Sequence, residues 1–97
     1  YRDRTEKNIL AADGTLLFSF GPLTGGSALT EALAIRHDRP FLHIDFELIE
    51  REQAATLVEH WLRDCRIEVV NVAGPRASNE PRIYQAVYSL LTGIHWP

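Results

Sequence analysis

The chain has 97 residues, 45% of them hydrophobic and 24% charged, with a net charge of −3. That length makes one domain or part of one, with a modest core. The acidic balance speaks against a general nucleic-acid binder, and no run approaches the ~20 apolar residues of a membrane helix.

Residues Tyr1 to Asn8 are mostly charged and read as a short helix tail or an arm. Ala12-Asp13-Gly14 is a turn signal. Thr15-Leu16-Leu17-Phe18-Ser19-Phe20 is a continuous apolar run, which suits a strand covered on both faces. Ser27 to His37 predicts a helix, with Ala28, Leu29, Ala32 and Leu33 at helical spacing and Thr24 or Ser27 as its cap. Pro40 stops it, and Phe41 to Asp45 predicts the second strand.

Ile49 to Asp64 carries the clearest helical period, with Ala54, Leu57, Val58, Trp61, Leu62 and Cys65 on one side. Cys65 continues that stripe, so its default role is packing. Ile67 to Val72 predicts the third strand. A last helix begins near Pro81, with Ile83, Tyr84, Val87, Tyr88 and Leu91 as its buried stripe and Gly93 at its end. Strands separated by helices mean right-handed crossovers and a parallel sheet. Three βα units are about half of a doubly wound fold. An apolar edge is then left for preceding strands, a partner or a second copy to cover.

Two loops carry the candidate chemistry. Gly21-Pro22-Leu23-Thr24-Gly25-Gly26-Ser27 and Asn71-Val72-Ala73-Gly74-Pro75-Arg76-Ala77-Ser78 each follow an apolar run and precede an amphipathic one. Both are expected on the carboxyl edge of the sheet, where helix starts expose unpaired N–H groups and partial positive charge. That edge suits an anion, above all a phosphate. Gly25 and Gly26 let the backbone approach it, while Thr24 and Ser27 add hydroxyls. Asn71 is expected to face the crevice beside Gly74. Arg76 offers a planar fork for anionic oxygens, and Ser78 caps the last helix or donates to the same anion. Asp45, nineteen positions after Gly26, can accept ribose hydroxyls at a strand end. The G-x-G-x-x-G fingerprint of dinucleotide sites is absent. Glu31 is either a helix-dipole partner or a carboxylate for acid–base work. The four histidines, His37, His43, His60 and His95, show no ligand spacing, and His43 reads as a packed core residue. With one cysteine, neither a disulfide nor a zinc site is expected, and a reducing, cytoplasmic compartment fits.

Several motifs in order strengthen this reading: Tyr1-x-x-Arg4-Thr5-Glu6-x-Asn8, Asp13-Gly14-Thr15-Leu16, Gly21 through Thr30, and Asn71 through Ser78. Together they resemble the putative molybdenum carrier family, the circularly permuted YpsA-like branch of the SLOG superfamily. The resemblance runs from Tyr1 to about Leu91. It implies a Rossmann-like, three-layer α/β/α fold that holds the molybdenum cofactor or a nucleotide as its phosphorylated ligand. The family normally begins with a further segment bearing a Gly-Gly-Gln-Thr-Gly loop. With no methionine and a polar opening at Tyr1-Arg2-Asp3-Arg4, residues 1–97 therefore read as one domain that lacks its N-terminal part. The wider superfamily also holds lysine-decarboxylase-like phosphoribohydrolases, whose glycine loop Thr24 to Glu31 is similar to. This makes Glu31 the candidate carboxylate of an enzymatic alternative. A non-catalytic dimerisation fragment is the third reading, and homo-oligomerisation is expected in either binding role.

Overall fold

A computed structural model describes residues 2–75 and 80–96. The elements run α1 (Arg2–Ala11), β1 (Gly14–Ser19), α2 (Gly25–Arg36), β2 (Phe41–Asp45), α3 (Arg51–Asp64), β3 (Val70–Ala73) and α4 (Ile83–Gly93). The three strands form a parallel sheet in the order β2-β1-β3. This is the Rossmann-like α/β arrangement expected from strands alternating with helices.

The central strand is the most apolar in sequence and the most buried in space, with all six of its residues closed off from solvent. Side chains alternate across a strand. Leu16 and Phe18 therefore join Ala54, Val58 and Leu62 of α3 and Ile83 and Leu90 of α4 in the main core. A second cluster on the α1–α2 side contains Ile9, Leu33 and Ala34, with Leu29 and Phe41 packed against it. Helices thus cover both faces, and the carboxyl ends of the strands share one edge.

The packing decides one open sequence expectation and corrects two. The charged N-terminal stretch, read as a helix tail or an arm, is a ten-residue helix. Its single buried residue, Ile9, fills the gap beside Leu33. Glu6 Oε2 lies 2.7 Å from His37 Nε2, which ties α1 to the end of α2. In α3, only Ala54, Val58 and Leu62 are buried, while Leu57 and Cys65 are exposed. A three-strand sheet is too narrow to cover the whole apolar arc, and Cys65 lies beyond the last helical residue, as the C-cap. In α4, the buried line is Ile83 and Leu90, and Tyr84 and Tyr88 stand 70% and 56% exposed. That helix packs on α3 and β1, so its tyrosine side overhangs the outer edge of β3.

The amino end of the sheet is stitched by one carboxylate. Asp13 Oδ2 accepts from the N–H groups of Val69 (2.8 Å) and Glu68 (2.9 Å), and the Asp13 N–H donates to the Val69 carbonyl (2.8 Å). Next to it, a Cβ on Gly14 would come within 2.7 Å of both Ile67 Cδ1 and Trp61 Cζ2. Only glycine lets those side chains close over the start of β1. The bonds from Val69 and Glu68 hold the Asp13 carboxyl below its ordinary value of 3.8. A pKa depressed by folding contributes stability that is complete above the unfolded value and is lost as pH falls through the folded one. Unfolding midpoints measured against pH are therefore expected to fall in acid below about pH 4. Asp13→Asn should flatten that dependence. An equal acid slope in the variant assigns the effect to other carboxylates.

Candidate functional site

At the carboxyl edge, β1 runs into a glycine turn that is locked from below. Gly21 adopts φ +99, a region L side chains rarely enter. Its N–H donates to Asp45 Oδ1 (2.8 Å), and the same oxygen accepts from the Glu47 N–H (2.9 Å). The Gly21 carbonyl accepts from the Ser19 hydroxyl (2.6 Å). Ser19 Oγ also lies 2.7 Å from His43 Nε2. A hydroxyl has one proton, and here it is committed to a carbonyl, so the imidazole Nε2–H donates to Ser19. His43 is thus a half-buried hydrogen-bonding strut, which corrects the expectation of a merely packed core histidine. Asp45 lies where the strand-end rule put it. Its Oδ1, however, serves the turn backbone.

The turn delivers the chain to the start of α2. Thr24 is the N-cap, with extended φ −139 and ψ 163, yet its side chain makes no capping bond. Its carbonyl accepts from the N–H groups of Ser27 (3.1 Å) and Ala28 (3.3 Å). The N–H groups of Gly25 and Gly26 find no acceptor among the described residues. Ser27 is only 8% exposed, and its hydroxyl has no partner there either. A cleft of about 170 Å³ opens at this point, lined by Ser19, Phe20, Pro22, Leu23, Thr24, Ser27, Pro75 and Glu80. The two glycine loops therefore meet on one edge, with Thr24 and Ser27 facing Pro75 and Glu80. Gly25 and Gly26 are not part of the lining. Gly74 lines a neighbouring apolar groove instead, and a Cβ there would approach the Phe18 carbonyl to 3.1 Å. Arg76 and Ser78 lie outside the described residues.

Asn71 is not at the crevice, which corrects its expected place. It pairs with Thr15 in the first half of β1, and its Nδ2 donates to Thr15 Oγ1 (3.4 Å). The apolar run begins earlier than the strand does, so counting along the run put Asn71 too close to the strand's end. Glu31 is half-buried on α2 and does not line the cleft.

The electrostatics come partly from residues that sequence reasoning missed. Glu80 holds Arg82 by two bonds of 2.8 Å, and the guanidinium lies 3.9 Å over the Phe20 ring. The bond from Arg82 holds the Glu80 carboxyl below its ordinary range, and the same bond raises Arg82. Arg82, the rim cation among the described residues, is therefore already paired, and Asp45, Glu47 and Glu80 surround the turn. Among those residues, an anion here would be held by directed N–H and O–H donors. Ser19 was findable by the same strand-end rule that selected Asp45; no sequence signal singles out Arg82 or Glu80. Among the described residues, no three His, Cys, Asp or Glu side chains gather as a metal site, and no helix is long and apolar enough to cross a membrane.

Comparison with known proteins agrees with this architecture. The model of the circularly permutated YpsA SLOG family matches residues 1–95. The crystal structure of a putative molybdenum carrier protein from Syntrophus aciditrophicus SB is similar at 53% sequence identity and a TM-score of 0.93. The match covers 95% of this chain and 58% of that one, so this chain spans well under two thirds of its neighbour's length. No curated protein matches it.

Proposed function

This chain belongs to the circularly permutated YpsA SLOG family, and on that premise we propose that it binds a phosphorylated small molecule at the start of α2. The ligand class is a nucleotide or the molybdenum cofactor, which is what a carrier would hold. One observation carries the proposal: Ser27, a residue only 8% exposed, lines a cleft without a hydrogen-bond partner among the described residues, beside an N-cap threonine that does not cap. The Ser27 hydroxyl opens into the cleft, since no enclosed side-chain oxygen among the described residues lacks a partner, and Thr24 is exposed. Their two hydroxyls beside the bare N–H groups of Gly25 and Gly26 make a donor set for anionic oxygens. The name of the Syntrophus protein points to a molybdenum-related ligand as well. The donors suit the phosphate of such a cofactor. They include no thiolate or imidazole set for the metal, which would keep the cofactor's own ligands. Homo-oligomerisation and a cytoplasmic location belong to the same proposal.

Titration with AMP, inorganic phosphate and molybdate tests it. A ligand at 100 times its Kd adds about 2.7 kcal/mol of stability. In a domain this small, that raises Tm by on the order of 10 °C or more. Ser27→Ala is expected to weaken binding about tenfold or more, the size of a hydrogen bond to a charged group. The variant's own Tm should barely move, because the hydroxyl has no partner among the described residues. Equal affinity in Ser27→Ala and the parent would place any anion elsewhere.

A further inference from the structure

Ser19, His43 and Asp45 stand on one face of the sheet. Register sets Leu17 beside His43 and Ser19 beside Asp45. Alternation turns Leu17 and Ser19 away from the side of Leu16 and Phe18. They share the side on which Phe41, the partner of Thr15, packs against Leu33 and Ala34 of α2. The carboxyl end of that face lies beneath the loop that starts α2, and Ser19 lines the cleft there.

The Ser19 hydroxyl is engaged on two sides. Its proton goes to the Gly21 carbonyl at 2.6 Å, and its oxygen accepts from His43 Nε2–H at 2.7 Å. A hydroxyl oxygen has two lone pairs, so one is left. That one has no partner among the described residues. Toward a ligand, Ser19 therefore accepts and does not donate. The imidazole fixes this polarity: without an Nε2–H to receive, the hydroxyl is free to turn its proton toward the cleft. Glu80, in the same lining, is a carboxylate and also an acceptor, with Arg82 held on both its oxygens. Pro22 and Pro75 line the cleft too and carry no N–H. The hydroxyls of Thr24 and Ser27 lie at the helix start. A cleft of about 170 Å³ thus joins a donor end to an acceptor wall, within the span of one small molecule.

We propose that Ser19, polarised by His43, selects the ligand of this cleft. Thr24 and Ser27 hold a phosphate, and the free lone pair of Ser19 accepts from a hydroxyl of the same molecule. A second anionic group meets that lone pair and the Glu80 carboxylate with no donor to receive it, which is a repulsive element against diphosphates. The ligand class is a hydroxylated phosphate monoester, such as a sugar or polyol phosphate. His43 is a positioning residue that acts through Ser19. This selection rests on the anion site proposed above.

Calorimetric titration of the 97-residue chain with glycerol 3-phosphate, propyl phosphate and pyrophosphate tests it. The two esters share a phosphate and a three-carbon chain and differ in their hydroxyls. Glycerol 3-phosphate is expected to bind about fivefold to tenfold tighter than either other ligand, the size of one hydrogen bond. His43→Leu frees the Ser19 proton and should close the gap to pyrophosphate. His43→Gln, whose amide offers an N–H, should keep it. A merely structural histidine would weaken all three ligands alike. In the ligand-free chain, nitrogen-15 NMR should find the neutral His43 imidazole protonated at Nε2. The selection is overturned by equal affinity for the two esters, by a gap that His43→Leu leaves unmoved, or by a proton on Nδ1 instead. In each of those cases the anion site itself stands if the esters bind. Binding of none of the three overturns the anion site and the selection together. The ester comparison and the tautomer decide the matter even where His43→Leu is too unstable to titrate.

Discussion

Phe18→Ala is expected to bring this domain close to unfolding. Phe18 is fully buried in the middle of the central strand and stacks on Phe46 with ring centroids 5.7 Å apart and planes 8° apart. Removing a buried phenyl ring costs about 3–5 kcal/mol, partly through lost transfer energy and partly through the cavity left behind. Total stability of a small domain is only about 5–15 kcal/mol. The site is poorly placed to relax, since β1 is held in register on both sides by β2 and β3. Urea unfolding should show a large fall in midpoint with little change in slope. A loss under about 1 kcal/mol would mean that Phe46 and Ile83 collapse into the space, and that the core is looser than its burial indicates.

Asp45→Ala is the second large effect, and it links stability to the site. Among the described residues, the carboxylate oxygen that accepts from Gly21 and Glu47 is the only partner of those two amides. Leaving a buried donor unsatisfied costs about 1–3 kcal/mol. The substitution also frees a turn whose glycine holds φ +99. Loss of that lock should shift Thr24 and Ser27 and weaken AMP binding together with stability. Asp45→Asn keeps an oxygen acceptor in the same place and is expected to retain most of both. If Asn and Ala behave alike, the negative charge of Asp45, not its geometry as an acceptor, is what the turn needs.

The contrast between those two residues shows how far the sequence could be read. Phe18 was legible as core because continuous apolarity has one common explanation in an alternating strand–helix pattern. Asp45 was legible as a strand-end residue at the crevice. Its bonds to Gly21 and Glu47 were not, because they join residues 24 positions apart through a turn with no periodic signal. The Ser19–His43 strut was hidden for the same reason. His43 shows no ligand spacing along the chain and gains its partner only when β1 and β2 align Ser19 with Asp45. Asn71 was misplaced because an apolar run marks a strand without marking where its hydrogen bonding begins.

Read by itself, the amino-acid order determined the kind of protein: three apolar runs alternating with three helical ones, two glycine loops between them, and a family resemblance carried by those loops. Such features depend on period, turn chemistry and local spacing, which a linear chain displays directly. Only the tertiary structure decided which side of each helix is buried. It turned Tyr84 and Tyr88 outward, left Leu57 and Cys65 in solvent, and placed Ser27 in the cleft without a partner among the described residues. Burial on a helix is settled by how wide a sheet lies beneath it. Hydrogen-bond satisfaction is settled by what the rest of the fold brings within 3 Å, and neither quantity is written in local sequence.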